Sequence, residues 1–253
     1  MFFSFFAPFL YTLSPTALHV NAILSAPSWE YLLGTDRLGR DLLARLMAGG
    51  QISLVIGITS AFVSTFLGLI LGVTAGYFRG KTDKVFVLIV DLFLTFPTFF
   101  LLLALVSYVN ASVWVLIVII SITGWMTTAR LIRSESFAIT QQPYIKILKI
   151  ADVSKIKILL KYYTPLLAPI FFVSFTFGVG GAILSESALS FLGLGIMAPQ
   201  MSWGTIMSDG KEVIQIAWWI SFFPGLFIFL ITFALINISN YLQQLTNKKE
   251  IKR

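Results

Sequence analysis

The sequence predicts an all-α protein, a polytopic bundle of membrane-spanning helices. Hydrophobic residues make up 57% of its 253 residues and charged residues only 11%, whereas about 25% of residues in soluble domains are charged. The mean hydropathy is +0.89. Uncharged apolar windows of roughly twenty residues recur along the chain, and that length lets a helix cross about 30 Å of hydrocarbon. A lipid bilayer is therefore the expected environment, with few residues left for a soluble domain.

The N-terminal apolar run is too short for a complete span. Only residues 1–13 precede Ser14 and Pro15, and at 1.5 Å per residue they cover about two thirds of the hydrocarbon core. No Lys or Arg precedes the run, so a secretory signal peptide is not favoured. We interpret it as the tail of a first span, either cut short by an incorrect start codon or genuinely shortened. The segment 1–51 then comprises this partial span and an outward-facing loop.

Five full spans are predicted within a membrane domain of residues 52–243. They lie at residues 52–78, 85–109, 113–128, 166–193 and 217–242. Pro97 is expected to break or kink the second span, because proline lacks the N–H that a helix interior requires.

Glycines are expected to mark close contacts between helices, because helices in lipid associate where their backbones can approach. Gly68, Gly72 and Gly76 form a ladder at a spacing of four residues in the first full span. A second group punctuates the fourth span and comprises Gly178, Gly180, Gly181 and Gly193. Flexible points for gating are the alternative interpretation of some of these glycines.

The distribution of basic residues predicts which loops face the cytoplasm. Fourteen of the 18 Lys and Arg residues lie in segments 79–84, 129–165 and 244–253, which share one side of the membrane. Basic loops face the cytoplasm, so the loop 129–165 and the C-terminal tail 244–253 are predicted to be cytoplasmic. Residues 14–51 and 195–216 are then predicted to face outward. These loops explain the formal charge of +7, and nucleic acid is not an expected partner.

The stretch from Tyr144 to Pro165 is unusual because lysines recur in it between aliphatic residues. The lysines are Lys146, Lys149, Lys155, Lys157 and Lys161, and the aliphatic residues are Ile145, Leu148, Ile156, Leu159 and Leu160. This spacing predicts a helix with one basic and one aliphatic side. A long basic amphipathic loop between two spans is typical of a docking site for a cytoplasmic partner.

Two acidic residues, Asp91 and Glu186, fall inside predicted spans. Ionisable groups within a bilayer suggest a proton or substrate path. The alternative is structural, in which each acid caps a broken helix or bonds to hydroxyl groups, and Ser185 and Ser187 flank Glu186. We favour the structural interpretation because neither acid has an obvious basic partner within the membrane.

No catalytic or nucleotide-binding site is predicted. Residues 75–82, AGYFRGKT, approximate a phosphate-binding loop, but that loop works between a strand and a helix, and here it follows a membrane span. His19 is the only histidine and the chain has no cysteine, so a His-based catalytic site or metal site cannot be assembled within one chain. The chain is therefore expected not to be an enzyme and to need no cofactor or metal.

Five stretches of the sequence resemble the permease subunits of peptide and nickel ABC importers. They are LGTDRLGRD at 33–41, ISLV at 52–55, AILSESALSFLGLG at 182–195, WGTIMSDG at 203–210 and FPG at 223–225. The resemblance implies an ABC importer type-I transmembrane domain in the bacterial inner membrane, importing peptides or nickel chelates. The implied partners are a homologous second permease, two ABC ATPase subunits and an extracytoplasmic substrate-binding protein.

The resemblance also implies that the basic loop contains a coupling helix that enters a groove on the ATPase. Its expected residues are Tyr144, Lys146, Ile147, Leu148, Ile150, Asp152 and Pro165. Lys146, Ile147 and Leu148 stand where the family has Glu-Ala-Ala, and Asp152 stands where the family has glycine. Either the partner ATPase has changed its surface to match, or this subunit couples weakly or has degenerated.

Two other functions remain open at the level of sequence. One is an ion-coupled secondary carrier in which Asp91 and Glu186 move protons, although no second copy of a broken, acid-bearing segment is evident. The other is a non-transporting membrane assembly subunit with a degenerate coupling loop. The sequence does not distinguish peptides from nickel as the substrate.

Overall fold

Almost all regular structure in the chain is helical, as predicted. The computed structural model describes residues 2–6, 8 and 11–251, and the side chains of all of these except 2, 3 and 246–251. Within those residues the only β-structure is an isolated antiparallel bridge between Thr35 and Asp41. The predicted partial first span contains a four-residue helix, α1 (Phe2–Phe5). Several of its other residues, including Met1 and Ala7, lie outside the described residues.

The remaining helices follow one another with short connections. In chain order they are α2 (Leu42–Phe78), α3 (Gly80–Leu94), α4 (Thr98–Ser107), α5 (Val113–Gln141), α6 (Pro143–Ile150), α7 (Lys155–Ile158), α8 (Thr164–Phe191), α9 (Trp203–Lys211) and α10 (Trp219–Ile251). A short π-helical segment, Leu159–Tyr163, joins α7 to α8. Residues 75–82, the approximate phosphate-binding loop, therefore run from the end of α2 into α3.

Among the described residues the structure has four or five candidate membrane spans, where the sequence predicts five. Four helical stretches are long and apolar enough to cross a membrane, and α3 with α4 makes a fifth if the bent pair is one span. The axes of α3 and α4 differ by 78°, and the break between them falls at residues 95–97. The predicted disruption at Pro97 is therefore confirmed.

Helices α2 and α5 are among the spans that are longer than hydropathy predicts, and polar residues in their extensions have partners. Helix α2 begins ten residues before position 52, and its Gln51 amide donates to the Ser4 carbonyl over 2.8 Å. Helix α5 continues thirteen residues past position 128, and its Arg133 pairs with Asp83 of α3. Such pairing lets a helix continue where a window of apolar residues ends.

The chain divides into two compact units. The first comprises Met1–Thr59, Leu103–Ile119 and Gly180–Ala234, and the second comprises Ser60–Leu102, Ile120–Val179 and Leu235–Arg253. The first unit contains the predicted outward loops with α9, and the second contains the basic loop. The division of the sequence at residues 51 and 243 remains a prediction.

In the second unit, α2 packs directly on the backbone of α5 along the glycine ladder. A Cβ atom added to Gly72 would lie 2.6 Å from the Ala129 carbonyl oxygen, and one added to Gly76 would lie 2.8 Å from that of Arg133. The contact predicted from the ladder is therefore confirmed. In the second glycine group, a Cβ on Gly178 would lie 3.3 Å from the Ala61 Cβ.

The expectation of a helix contact is wrong at two positions of that second group. A Cβ added to Gly181 or Gly193 would meet no atom within 4 Å. Gly193 instead has a φ of +82° just after the end of α8, a conformation that glycine commonly supplies at helix C-termini.

In the first unit, a buried ion network ties the loop before α2 to α9. The Arg45 side chain is 4% exposed, pairs with Asp36 and donates to Asp209 over 3.0 Å. Asp36 also accepts from the Arg40 Nε at 2.7 Å and from the backbone N–H of Leu38 at 2.8 Å. Burial alone would raise the pKa of Asp36, but the Arg45 charge and these hydrogen bonds outweigh it and lower that pKa from its ordinary value of 3.8.

Gly72→Ala is expected to destabilise the second unit by roughly 1–3 kcal/mol, because the new methyl group overpacks a backbone contact that cannot yield like a side chain. The measurement is the thermal unfolding midpoint of the purified permease in detergent. Gly181→Ala is the matched control, since its added Cβ meets no neighbour. Equal midpoints for the two variants would contradict the direct contact.

Asp36→Asn is expected to destabilise the first unit by about 3 kcal/mol at neutral pH, because it removes the buried carboxylate partner of Arg45 and leaves only the half-exposed Asp209. A carboxyl group whose folded pKa is lowered stabilises the fold above its unfolded pKa, and that stabilisation is lost as pH falls through the folded pKa. The difference between wild type and variant should therefore be constant near neutrality and shrink below about pH 4.

Unfolding midpoints over a pH series test this expectation. Glu212→Gln is the control, because its ion pair with Arg37 is exposed (45% and 67%) and such pairs contribute about 0–1 kcal/mol. A difference for Asp36→Asn that stays the same down to pH 3 would show that the charge of Asp36 does not stabilise the loop.

Candidate functional site

The candidate site is the coupling segment, residues 143–163, which lies entirely in the second unit. The sequence predicted an amphipathic helix here, but the structure has α6 and α7 separated by a turn at residues 151–154. Pro143 begins α6, where its fixed φ is favourable and its missing N–H costs nothing. The chain reverses at Asp152, which has a φ of +53°.

Asp152 therefore forms the turn that the resemblance assigns to a glycine. Residues with φ in this range are mostly glycine, but Asp and Asn visit the region more readily than other side chains. An aspartate at this position therefore adopts a backbone conformation that is typical of glycine. The sequence alone left open whether the turn was lost.

A cluster of buried apolar side chains, called here the plug, attaches the coupling segment to the ends of α2 and α5. Ile145, Ile158 and Tyr163 are each at most 1% exposed, and they share one cluster with Tyr77. The Tyr163 hydroxyl lies 2.6 Å from that of Thr140 on α5, and the rings of Tyr163 and Tyr77 meet edge to face at 5.6 Å.

The ammonium group of one lysine of the segment also contacts an aromatic ring at the end of α2. The Lys149 ammonium lies 4.2 Å from the centre of the Tyr77 ring, a favourable cation–π contact. Burial lowers the pKa of Lys149, and the nearby Arg79 charge lowers it further. The ammonium group of Lys149 therefore contributes to the attachment of the segment, while the side chain as a whole remains exposed.

The opposite surface of the segment presents aliphatic side chains. Ile147 is 64% exposed and Ile150 is 85% exposed, and a spacing of three residues places them on one side of α6. Leu148, by contrast, packs against the buried cluster. Tyr144, Lys146, Asp152 and Pro165, the other predicted coupling residues, are all exposed.

The predicted division into a basic and an aliphatic side is only partly correct. Ile145, Leu148 and Leu159 do face the protein interior, but Ile156 and Leu160 are 71% and 67% exposed. The interruption of the helix at the turn changes the direction of the residues that follow, so a single helical period could not place them.

Sequence reasoning missed the anchoring residues Tyr77, Thr140 and Tyr163. Each lies near the end of a long apolar helix, where a hydroxyl-bearing side chain can reach the loop that follows. The pair Tyr162-Tyr163 at the end of the basic loop was the available signal, since aromatic residues are otherwise scarce among the lysines.

The expectation that Asp91 lacks a basic partner is wrong. Its carboxylate accepts from the Arg130 guanidinium over 2.6 Å, and both side chains are more than half exposed. Asp83 on the same helix, α3, pairs with Arg133 on α5. Two ion pairs thus join α3 to α5 within the second unit, which a search along the sequence near Asp91 could not reveal.

Glu186 lies in the first unit with hydroxyl partners. Its side chain is fully buried and accepts from Ser190 over 2.7 Å, from Ser53 over 3.3 Å and from Ser187 over 3.4 Å. The Ser53 hydroxyl in turn accepts from the Trp203 backbone N–H over 3.1 Å. Both carboxyl oxygens therefore have donors, and the cluster links α2, α8 and α9.

Comparison with known proteins identifies the family. Residues 68–250 match the family described as binding-protein-dependent transport system inner membrane component. The oligopeptide transport system permease protein OppC of Haemophilus influenzae is 32% identical over 246 residues, covering 96% of this chain and 79% of the relative. The di/tripeptide permease protein DppC of Pseudomonas aeruginosa is 31% identical over 242 residues, covering 93% and 80%.

A solved structure supports the fold. An inward-facing conformation of the MetNI methionine ABC transporter contains a chain with a TM-score of 0.60 and 18% sequence identity, covering 78% of this chain and 95% of the other. The helical architecture is thus that of an ABC importer transmembrane domain. Together with the match over residues 68–250, this shows that the chain belongs to the family of inner membrane permease components of binding-protein-dependent transport systems.

Proposed function

We propose that this permease forms part of the membrane path of an ATP-driven importer of di- or oligopeptides, and that the coupling segment receives the ATPase. The relatives named above are peptide permeases, which favours peptides over nickel chelates. The proposed partners are a homologous second permease, two ABC ATPase subunits and an extracytoplasmic binding protein. The coupling segment and the C-terminal tail would then face the cytoplasm, in agreement with their basic residues.

The main observation behind the proposal is that the coupling segment has a buried inner side and an exposed outer side. Its inner side is a buried plug of Ile145, Ile158 and Tyr163, which ties it to the membrane helices. Its outer side exposes Ile147 and Ile150, and exposed aliphatic groups on an ordered helix are typical of a binding surface. A segment built this way can pass a displacement imposed on its outer surface to α2 and α5.

The turn at Asp152 supports a working segment over a degenerate one. The left-handed residue keeps two ordered helices, α6 and α7, in a defined arrangement, as a docking segment requires. The alternative of an assembly subunit without transport therefore gains no support from this region.

Changing both Ile147 and Ile150 to Asp is expected to reduce recovery of the ATPase by at least about tenfold, a loss of roughly 1.4 kcal/mol in binding, because carboxylates would replace apolar contacts in the groove. The measurement is co-purification of the ATPase subunits encoded beside the permease. Both positions are exposed, so the variant should remain folded and in the membrane.

Ile23→Asp provides the control, since Ile23 is 48% exposed in a loop that is predicted to face outward. It introduces the same side chain and should leave ATPase recovery unchanged. Recovery of the ATPase at the wild-type level by the Ile147 and Ile150 variant would refute the docking assignment.

Glu186→Gln is expected to support near-normal peptide uptake at all pH values tested, because the amide keeps the shape and retains an acceptor oxygen for the serines. Glu186→Leu should instead lower the yield of folded permease, since it leaves buried hydroxyls unpaired at about 1–3 kcal/mol each. Uptake and size-exclusion profiles measure the two effects. A pH-dependent loss of uptake in the Gln variant at normal yield would favour an ion-coupled carrier.

A further inference from the structure

The outer surface of the coupling segment presents positively charged lysines as well as apolar side chains. Residues 143–163 contain five lysines and a single acid, Asp152. Two of the lysines are directed to aromatic rings, Lys149 to Tyr77 at 4.2 Å and Lys155 to Phe78 at 5.6 Å. The remaining three form the free charge of the segment.

Those three are Lys146, Lys157 and Lys161, and like Lys149 and Lys155 they are exposed. Across the part of the chain whose side chains are described, none of them takes part in an ion pair. Lys146 lies four residues before the exposed Ile150, and Lys157 lies three residues before the exposed Leu160, spacings that place side chains on one side of a helix. Contact with the apolar groups would therefore bring the ammonium groups into the same interface.

We propose that the ATPase groove that receives this segment has an apolar floor and a rim of carboxylates opposite Lys146, Lys157 and Lys161. This inference rests on the proposed docking and specifies its chemistry. An ammonium group that loses water without gaining a partner is costly, so a neutral or basic groove would reject the segment. Complementary charge favours the right partner and speeds its association. The lysines thus select the cognate ATPase.

Anionic lipid headgroups could also attract lysines, but the arrangement of the segment favours a protein groove. A helix that lies on a membrane has a continuous apolar face opposite its polar face. Here the continuous apolar side of α6, with Ile145 and Leu148, is already packed on the protein. The exposed aliphatic groups alternate with lysines, which suits a groove with both apolar and acidic walls.

Charge reversal at two lysines tests the inference. The variant Lys146→Glu with Lys157→Glu should recover about tenfold less ATPase, whereas Lys146→Arg with Lys157→Arg should recover wild-type amounts. The control changes Lys81 and Lys84 to Glu. These lysines are exposed on α3, outside the segment, and their reversal alters the net charge equally. Equal loss in the control would overturn the inference.

Salt dependence provides a second readout of the charge of the lysines. Raising ionic strength from about 0.1 M to about 1 M shortens the screening length from roughly 10 Å to roughly 3 Å. ATPase recovery by the wild type should fall over this range more steeply than recovery by the variant with both lysines changed to Gln. Identical salt dependence would count against carboxylates at the rim.

Two further experiments, a compensating change in the ATPase and a change of lipid composition, distinguish an ATPase groove from lipid as the partner of the lysines. Replacement of acidic groove residues of the ATPase by Lys should restore its binding to the charge-reversed permease. The assays are repeated in vesicles of phosphatidylcholine with and without phosphatidylglycerol. A charge effect that is seen only with phosphatidylglycerol would assign the lysines to lipid and overturn the inference.

The two proposals fail in different ways. If the variant with Asp at Ile147 and Ile150 keeps the ATPase, the docking site itself is wrong. If that variant loses the ATPase while the charge-reversed variant keeps it at the wild-type level, docking stands and only the acidic rim is refuted.

Discussion

The direct packing of α2 on the backbone of α5 positions the groups on which the second unit depends. Gly68, Gly72 and Gly76 remove side chains from this contact, so the two helices approach as closely as their backbones allow. Because they do, Tyr77 at the end of α2 and Thr140 near the end of α5 come within reach of the same residue, Tyr163. The coupling segment is attached at that point. In lipid, where apolar association has little driving force, such close contact is a principal source of helix affinity.

The coupling segment combines a fixed inner side with an outer side available to a partner. Residues that alternate between these sides, such as Ile145 and Ile147, differ in exposure from 0% to 64%. The proposed mechanical coupling to an ATPase requires both properties. A segment with only the exposed surface would bind without transmitting a displacement, and one with only the plug would offer nothing to bind.

Polar groups within the membrane helices are satisfied in two different ways. Asp91 in the second unit has a guanidinium partner, whereas Glu186 in the first unit has only serine donors among its recorded hydrogen bonds. The half-exposed Asp91 forms an ion pair with Arg130, while the fully buried Glu186 relies on neutral hydroxyl groups to replace water. Both arrangements join helices, which supports the proposed structural role of each acid.

The sequence by itself determined the class of the fold, the number of spans, the break at Pro97 and the position of the basic loop, because each is a local property of composition or spacing. It also indicated the contact at Gly72. Tertiary structure decided which residues meet. Asp91 and Arg130 are 39 residues apart, and Ser53 and Glu186 are 133 apart, so no local period links them. Likewise, the exposure of Ile156 depends on the turn at Asp152. An aspartate can adopt the left-handed backbone of that turn, but the presence of an aspartate does not predict it. Which face of a helix packs is set by its neighbours, and the neighbours are known only once the chain has folded.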